Sequence, residues 1–219
     1  MDMAETFDIP VALSVIPQKL ETDFADKLKN RSNIYVLQHG YSHQSHAHPH
    51  QKKIEMGGAQ TLQTISAQLR SGQYRLLSAF GDQFVPVLVP PWNRIEATLI
   101  HALPELGFSG LSSMWAMHVI DGDGLLQVNT HLDPINWRHG QEFIGYGNAI
   151  GQIHQHLYAR RHGFRDPREP TGVLTHHLVQ NETVWRFCTN LFSMLNDHAA
   201  VRWLSAADIW GPSSRGGNR

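Results

Sequence analysis

The chain has a single cysteine, Cys188, in 219 residues, which excludes an internal disulfide framework. Cys188 falls in an apolar helical pattern and reads as a small buried hydrophobe. Long hydrophobic runs are missing as well, and none reaches the length of a membrane span. Met1-Asp2-Met3-Ala4-Glu5 lacks the basic and then apolar regions of a secretory leader, so a cytoplasmic location is expected. Charge of one sign is also lacking. Eighteen Lys and Arg against 19 Asp and Glu leave a net charge of −1, which gives no field to draw in nucleic acid or an anionic membrane. Adjacent basic residues occur only at Lys52-Lys53 and Arg160-Arg161. Neither nucleic acid nor membrane is expected as a partner, and no internal repeat is visible.

What is present is an alternation of short apolar runs with amphipathic ones. Val11–Ile16 reads as a strand, followed by a helix carrying Leu20, Phe24 and Leu28 on one face. Asn33–Gln38 is a second strand, then a histidine-rich loop, then a helix with Leu62, Ile65 and Leu69 on one side. Val85–Val89 is a third strand, followed by a helix with Ile95, Leu99 and Leu103 that Gly107 is placed to end. Further strands are expected at Phe108–Leu111, Leu125–Thr130, Gly172–Thr175 and Val201–Leu204. Helices are expected over 143–161 and 182–196, the second capped by Asn181. Lys52, Lys53 and Glu55 read as a solvated helix face. The alternation specifies an α/β fold with a parallel sheet, either open or closed into a barrel. Residues 1–210 form one expected domain, and 211–219, with nothing to bury, a flexible tail.

In parallel α/β folds, reactive groups gather at the carboxyl ends of strands, and four segments here fit that rule. Gln38-His39-Gly40-Tyr41-Ser42-His43 puts two imidazoles four residues apart just past a buried strand. Neutral imidazole offers a lone pair without a charge to desolvate, which makes it the usual ligand of zinc and similar ions. His46, His48 and His50 follow and read as solvent-facing. Val89-Pro90-Pro91-Trp92-Asn93-Arg94 is a stiff exit that could hold Trp92 as an apolar platform and Arg94 as a fixed cation. The third segment is Asn129-Thr130-His131-Leu132-Asp133-Pro134-Ile135-Asn136-Trp137, and the fourth Leu174-Thr175-His176-His177. Asp133 before Pro134 is equally suited to a turn, and Trp203 and Trp210 read as packing residues.

These segments, in this order, resemble the polysaccharide deacetylases of carbohydrate esterase family four, over roughly residues 8–205. The resemblance implies a distorted (β/α) barrel. It implies that His39 and His43 are metal ligands, with zinc the expected ion. Pro91 and Trp92 match an aromatic wall of the substrate groove, where a backbone N–H helps to hold an oxyanion, and Trp137 lines the same pocket. Asp133 matches an acidic residue of the site. His176 or His177 takes the role of catalytic histidine; strand alternation allows only one of them to point inward. Arg94 is the cation that could orient a catalytic carboxylate, because Val89 stands where the family usually has arginine.

Asn136 replaces a second aspartate of that pattern, and no Asp-Asp pair, the family's first motif, occurs in the chain. The expected barrel is therefore incomplete at its start, lacking a strand, a metal ligand and a base. A substitute carboxylate such as Asp133 or a non-catalytic relative are the alternatives to an upstream segment. Sheet edges left by missing strands are expected to favour homo-oligomers. The expected function is metal-dependent hydrolysis of an N-acetyl group on a sugar or polysaccharide. An amidohydrolase of small amides, or a non-catalytic sugar- or metal-binding protein, are the other readings.

Overall fold

The computed structural model describes residues 2–29, 31–114 and 125–211, which fall into two compact units. One comprises Ile9–Gln127 with Leu204–Arg219 and is called here the sheet unit. The other comprises Met1–Asp8 with Val128–Trp203 and is called the helical unit; it holds the first helix, α1 (Asp2–Thr6).

In the sheet unit, β1 (Val11–Val15) pairs in parallel with β2 (Ile34–His39), across the short helix α2 (Thr22–Asp26). The long helix α3 (Leu62–Phe80) leads to β3 (Phe84–Val89), and α4 (Ala97–Ala102) to β4 (Gly110–Leu111). With β5 (Leu126–Gln127) these form a five-stranded parallel sheet in sequential order. Pro86 sits in the middle of β3, where an N–H donor is missing. The β2–β3 register slips there, from Val36 opposite Phe84 to Gln38 opposite Leu88, so the irregularity absorbs the proline.

Helix α3 is fixed by its sequence at both ends and along one face. Thr61 caps it by accepting from the Thr64 N–H at 3.2 Å. Its buried residues Ile65, Leu69, Gly72, Leu76 and Phe80 follow the helical period. The first two join Met56, Leu88, Leu99 and Leu103 in one core cluster, and Leu76 and Phe80 join Leu28, Ile34 and Val36 in a second. Gly72 is required by contact: a Cβ there would lie 2.4 Å from the amide of Gln38. That fully buried amide donates to the carbonyls of Gly40 (2.9 Å) and Leu69 (3.3 Å), tying the end of β2 to α3. The unit ends on α7 (Ala206–Trp210), whose Ser205 and Asp208 form a capping box, and Trp210 donates to the Leu126 carbonyl at 3.0 Å.

In the helical unit, β6 (Thr130–Leu132) pairs in parallel with β9 (Gly172–Val173), and β7 (Ile135–Asn136) with β8 (Glu142–Phe143) antiparallel. Helix α5 spans Tyr146–Arg161 and α6 spans Glu182–Asn196. On α6, Val184, Phe187, Cys188, Leu191 and Phe192 are buried at spacings of three and four. Phe187 packs on Phe143 and Tyr146, with ring centres 5.0 and 5.5 Å away, and Phe192 meets Phe7 and Trp203 edge-on. The Asn181 side chain accepts from the Val184 N–H at 3.1 Å, the expected cap.

Several expectations are corrected. Leu125–Thr130 is two strands in two sheets, because apolar patterning on both sides of the break has the same period. Val201–Leu204 has no regular structure, and the Leu20–Leu28 helix is reduced to Thr22–Asp26, although Leu28 is fully buried as its spacing required. Glu55 is not on a helix and is fully buried. The described strands form three separate sheets. Of the expected tail, only Gly211 lies within the described residues. No helix among them is long and apolar enough to cross a membrane.

Candidate functional site

In the sheet unit the chemistry starts at the carboxyl end of β2. Along this strand side chains alternate, so Gln38 turns to α3 and His39 to the other face. His39 stands opposite Val89 in the ladder, and its Nδ1 donates to the Val89 carbonyl at 2.9 Å. A carbonyl can only accept, so this bond puts the ring proton on Nδ1 and the lone pair on Nε2, as metal-binding histidines are commonly arranged. His43 follows in a left-handed turn, with φ of 58°. Burial holds its pKa below the ordinary histidine value, against the opposing pull of the Glu55 charge, which favours a neutral ring able to donate a lone pair.

The two rings have centres 5.1 Å apart and planes tilted by 44°. Two imidazoles bound to one tetrahedral ion at Zn–N of roughly 2.0–2.1 Å place their ring centres about 5 Å apart, so the pair fits such an ion. Among the described residues no third His, Cys, Asp or Glu completes a three-ligand group with them.

The rest of this end is built around the pair. Pro91–Asn93 forms a tight 3-10 turn in which Trp92 and Asn93 both have positive φ, 56° and 55°. That turn sets the indole of Trp92 against His43, ring centres 4.6 Å apart, with the Lys53 ammonium 5.8 Å from the indole. Arg94 donates to the Lys53 carbonyl at 2.9 Å, so its guanidinium is engaged in holding the histidine loop. His46 contacts the Gln60 amide at 2.8 Å, and His48 and His50 are exposed.

The helical unit holds a second arrangement. Asp133 is buried and uses both oxygens. Oδ1 accepts from the Ile135 N–H at 3.0 Å, closing the turn at Pro134. Oδ2 accepts from the indole N–H of Trp137 at 2.7 Å and lies 3.2 Å from Nε2 of His176. The Trp137 ring stands edge-on to His176, with centres 4.7 Å apart. Asp133 therefore closes a turn with one oxygen and meets Trp137 and His176 with the other. His176 is engaged, whereas its neighbour His177 is exposed.

The same unit contains a group that sequence reasoning missed. His131, His156 and Glu169 bring their ligand atoms within 4.8 Å of one another and could hold a metal ion. As placed, they are better arranged for protons. The imidazole rings are stacked, with centres 3.4 Å apart and planes 18° apart, so their Nε2 lone-pair directions run side by side instead of meeting. The Gly172 N–H donates to Nδ1 of His131 at 3.1 Å, which puts the ring proton on Nε2, where a ligand needs its lone pair. An ion would require His131 to turn. Each Nε2 instead faces one oxygen of Glu169, at 3.3 Å for His131 and 3.4 Å for His156. Burial, and then the neighbouring His156, lower the His131 pKa from 6.5 to about 4 in spite of Glu169; burial also lowers that of His156. The residues are spread over 39 positions in three elements, with no common spacing to mark them (131 to 169).

No family model matches the chain, and no curated protein matches it in sequence. Its fold does have a solved counterpart. A crystal structure described as "putative polysaccharide deacetylase from Mycobacterium smegmatis" superposes with a TM-score of 0.66, covering 98% of this chain and 74% of that one at 16% identity. The chain therefore has a mixed α/β fold, with a five-stranded parallel sheet, similar to that of the mycobacterial protein.

Proposed function

We propose that this protein is a metal-dependent hydrolase that removes N-acyl groups, acetyl foremost, from a sugar or polysaccharide. The observation that carries the reading is the His39 ring. Its Nδ1 is committed to the Val89 carbonyl, which leaves the ring's lone pair on Nε2, and the ring centre lies 5.1 Å from that of a second imidazole. Similarity of fold to a protein described as a deacetylase supports the same reaction class. On this reading the five-stranded sheet is part of a distorted (β/α) barrel.

His39 and His43 would hold the divalent ion, with zinc the best match to two neutral imidazoles. Such an ion supplies Lewis-acid chemistry, polarising an amide carbonyl and activating water. The remaining roles fall to this chain's own groups. In the helical unit, His176 is suited to giving up a proton through Nε2, with Asp133 orienting the ring and stabilising its charged form. Trp137 keeps the Asp133 carboxylate in place through its indole N–H and offers its half-exposed face to a sugar ring. Trp92 braces His43 and shapes the same end of β2. Pro91 and Arg94 would support the loop that carries His43, and His177 is the exposed neighbour of His176.

A second reading, a non-catalytic metal- or sugar-binding protein, is favoured by one observation: among the described residues the His39–His43 pair lacks a third protein ligand. The test is release of acetate from N-acetylated chito-oligosaccharides by zinc-loaded protein. Activity that disappears in both His39→Ala and His176→Ala supports the hydrolase. Zinc and oligosaccharide binding without acetate release, in the same preparation, would replace it with the binding protein.

A further inference from the structure

Glu55 has no place in the mechanism above, yet it is fully buried beside the metal pair. Its Oε1 accepts from three consecutive backbone N–H groups, those of Tyr41 (3.1 Å), Ser42 (2.6 Å) and His43 (3.1 Å), and from the Ser42 hydroxyl (2.9 Å). Four donors converging on one oxygen make an anion nest, here closed by a carboxylate of the same chain. The other oxygen, Oε2, is buried with no hydrogen-bond partner among the described residues. It lies against Gly40, where a Cβ would stand 2.1 Å from it and 2.7 Å from the Pro91 ring. Gly40 at φ of 56° and His43 at φ of 58° are left-handed residues at the two ends of segment 40–43, and the carboxylate spans that segment. Glu55 itself is anchored by the next residue: Met56 is fully buried, bridges to Ile95, and accepts from the Glu96 N–H at 3.0 Å.

We propose that Glu55 is the positioning residue of the His39–His43 pair. It folds residues 40–43 around its carboxylate so that His43 is set beside His39, and it places one negative charge behind two neutral ligands. This rests on the metal-binding reading of that pair. Glu55 is not grouped with the two histidines at liganding distance, so it acts through the His43 backbone and through its charge. A carboxylate behind neutral ligands raises their hold on a dication, and removing such an outer partner weakens metal affinity by about ten- to a hundredfold.

The test is calorimetric titration of the metal-stripped protein with Zn²⁺. The visible absorption of the Co²⁺ form reports on ligand geometry, and thermal melting is followed in parallel. Wild type should bind one ion that His39→Ala abolishes. Glu55→Gln keeps an acceptor for the N–H groups but removes the charge. It should bind about ten- to a hundredfold more weakly with little change in melting. Glu55→Ala should bind more weakly still and change the Co²⁺ spectrum. In the wild-type protein, hydrogen exchange of the Tyr41, Ser42 and His43 amides should be slow. Wild-type affinity in both Glu55 variants, with His39→Ala still abolishing binding, would overturn the role of Glu55 and leave the metal pair standing. Unprotected exchange at the three amides would overturn it as well. Failure of the wild type to take up an ion, or full binding by His39→Ala, would remove the metal pair itself and this proposal with it.

Discussion

Acidification should loosen the helical unit through His131. In the fold this imidazole is buried, stacked on His156 and held to the Gly172 N–H through Nδ1, so it is kept neutral and its pKa falls from 6.5 to about 4. In the unfolded chain it titrates at its ordinary value. Between those two values the unfolded state binds more protons than the folded state, so stability must rise with pH there and fall as pH drops below 6.5. Going from pH 7.5 to pH 5, the two values give a loss of about 2 kcal/mol from His131 alone, and His156 adds to it in the same direction. Protonation has a structural target, because a proton on Nδ1 would face the Gly172 N–H and break the bond that ties β6 to β9. The assay is urea denaturation at both pH values for wild type and His131→Asn, whose amide oxygen can still accept from Gly172 but cannot titrate. The variant should lose about 2 kcal/mol less on acidification. Equal losses in the two proteins would refute the reasoning, as would an NMR titration of the His131 ring with a midpoint near 6.5.

Asp133→Asn keeps acceptors for the Ile135 and Trp137 N–H groups but removes the charge beside His176. Acetate release should fall at least about a hundredfold, with little change in urea stability, and kcat should carry the loss in place of KM. Gly40→Ala sets a methyl group 2.1 Å from the Glu55 carboxylate at a left-handed position. It should cost about 2 kcal/mol or more and abolish high-affinity zinc binding, measured by denaturation and calorimetry. Asn181→Ala removes the cap of α6 and should destabilise the helical unit by about 1 kcal/mol in the same denaturation assay, leaving zinc affinity unchanged.

The sequence by itself determined the elements whose physics is local. The period of Val184, Phe187, Cys188, Leu191 and Phe192, with Asn181 before it, specifies α6 and its start. The run Ile34–Gln38 specifies a buried strand, and two histidines four residues apart just past it are visible without any coordinates. Asp133 before a proline and His176 at a strand end were likewise readable as candidates.

What needed tertiary structure is whatever depends on a partner distant in the chain. That His39 has its lone pair on Nε2 is decided by the Val89 carbonyl, 50 residues away. That His176 and not His177 lies beside Asp133 is set by a contact with a residue 43 positions earlier. Glu55 reads in sequence as a surface charge in a basic, polar stretch, and only the folded loop turns three N–H groups onto it. The His131–His156–Glu169 group has no motif, because its members come from a strand, a helix and a loop that meet only when β6 pairs with β9. Hydrophobic period and capping are properties of neighbours along the chain, whereas tautomers, buried carboxylates and shifted titrations are set by neighbours in space.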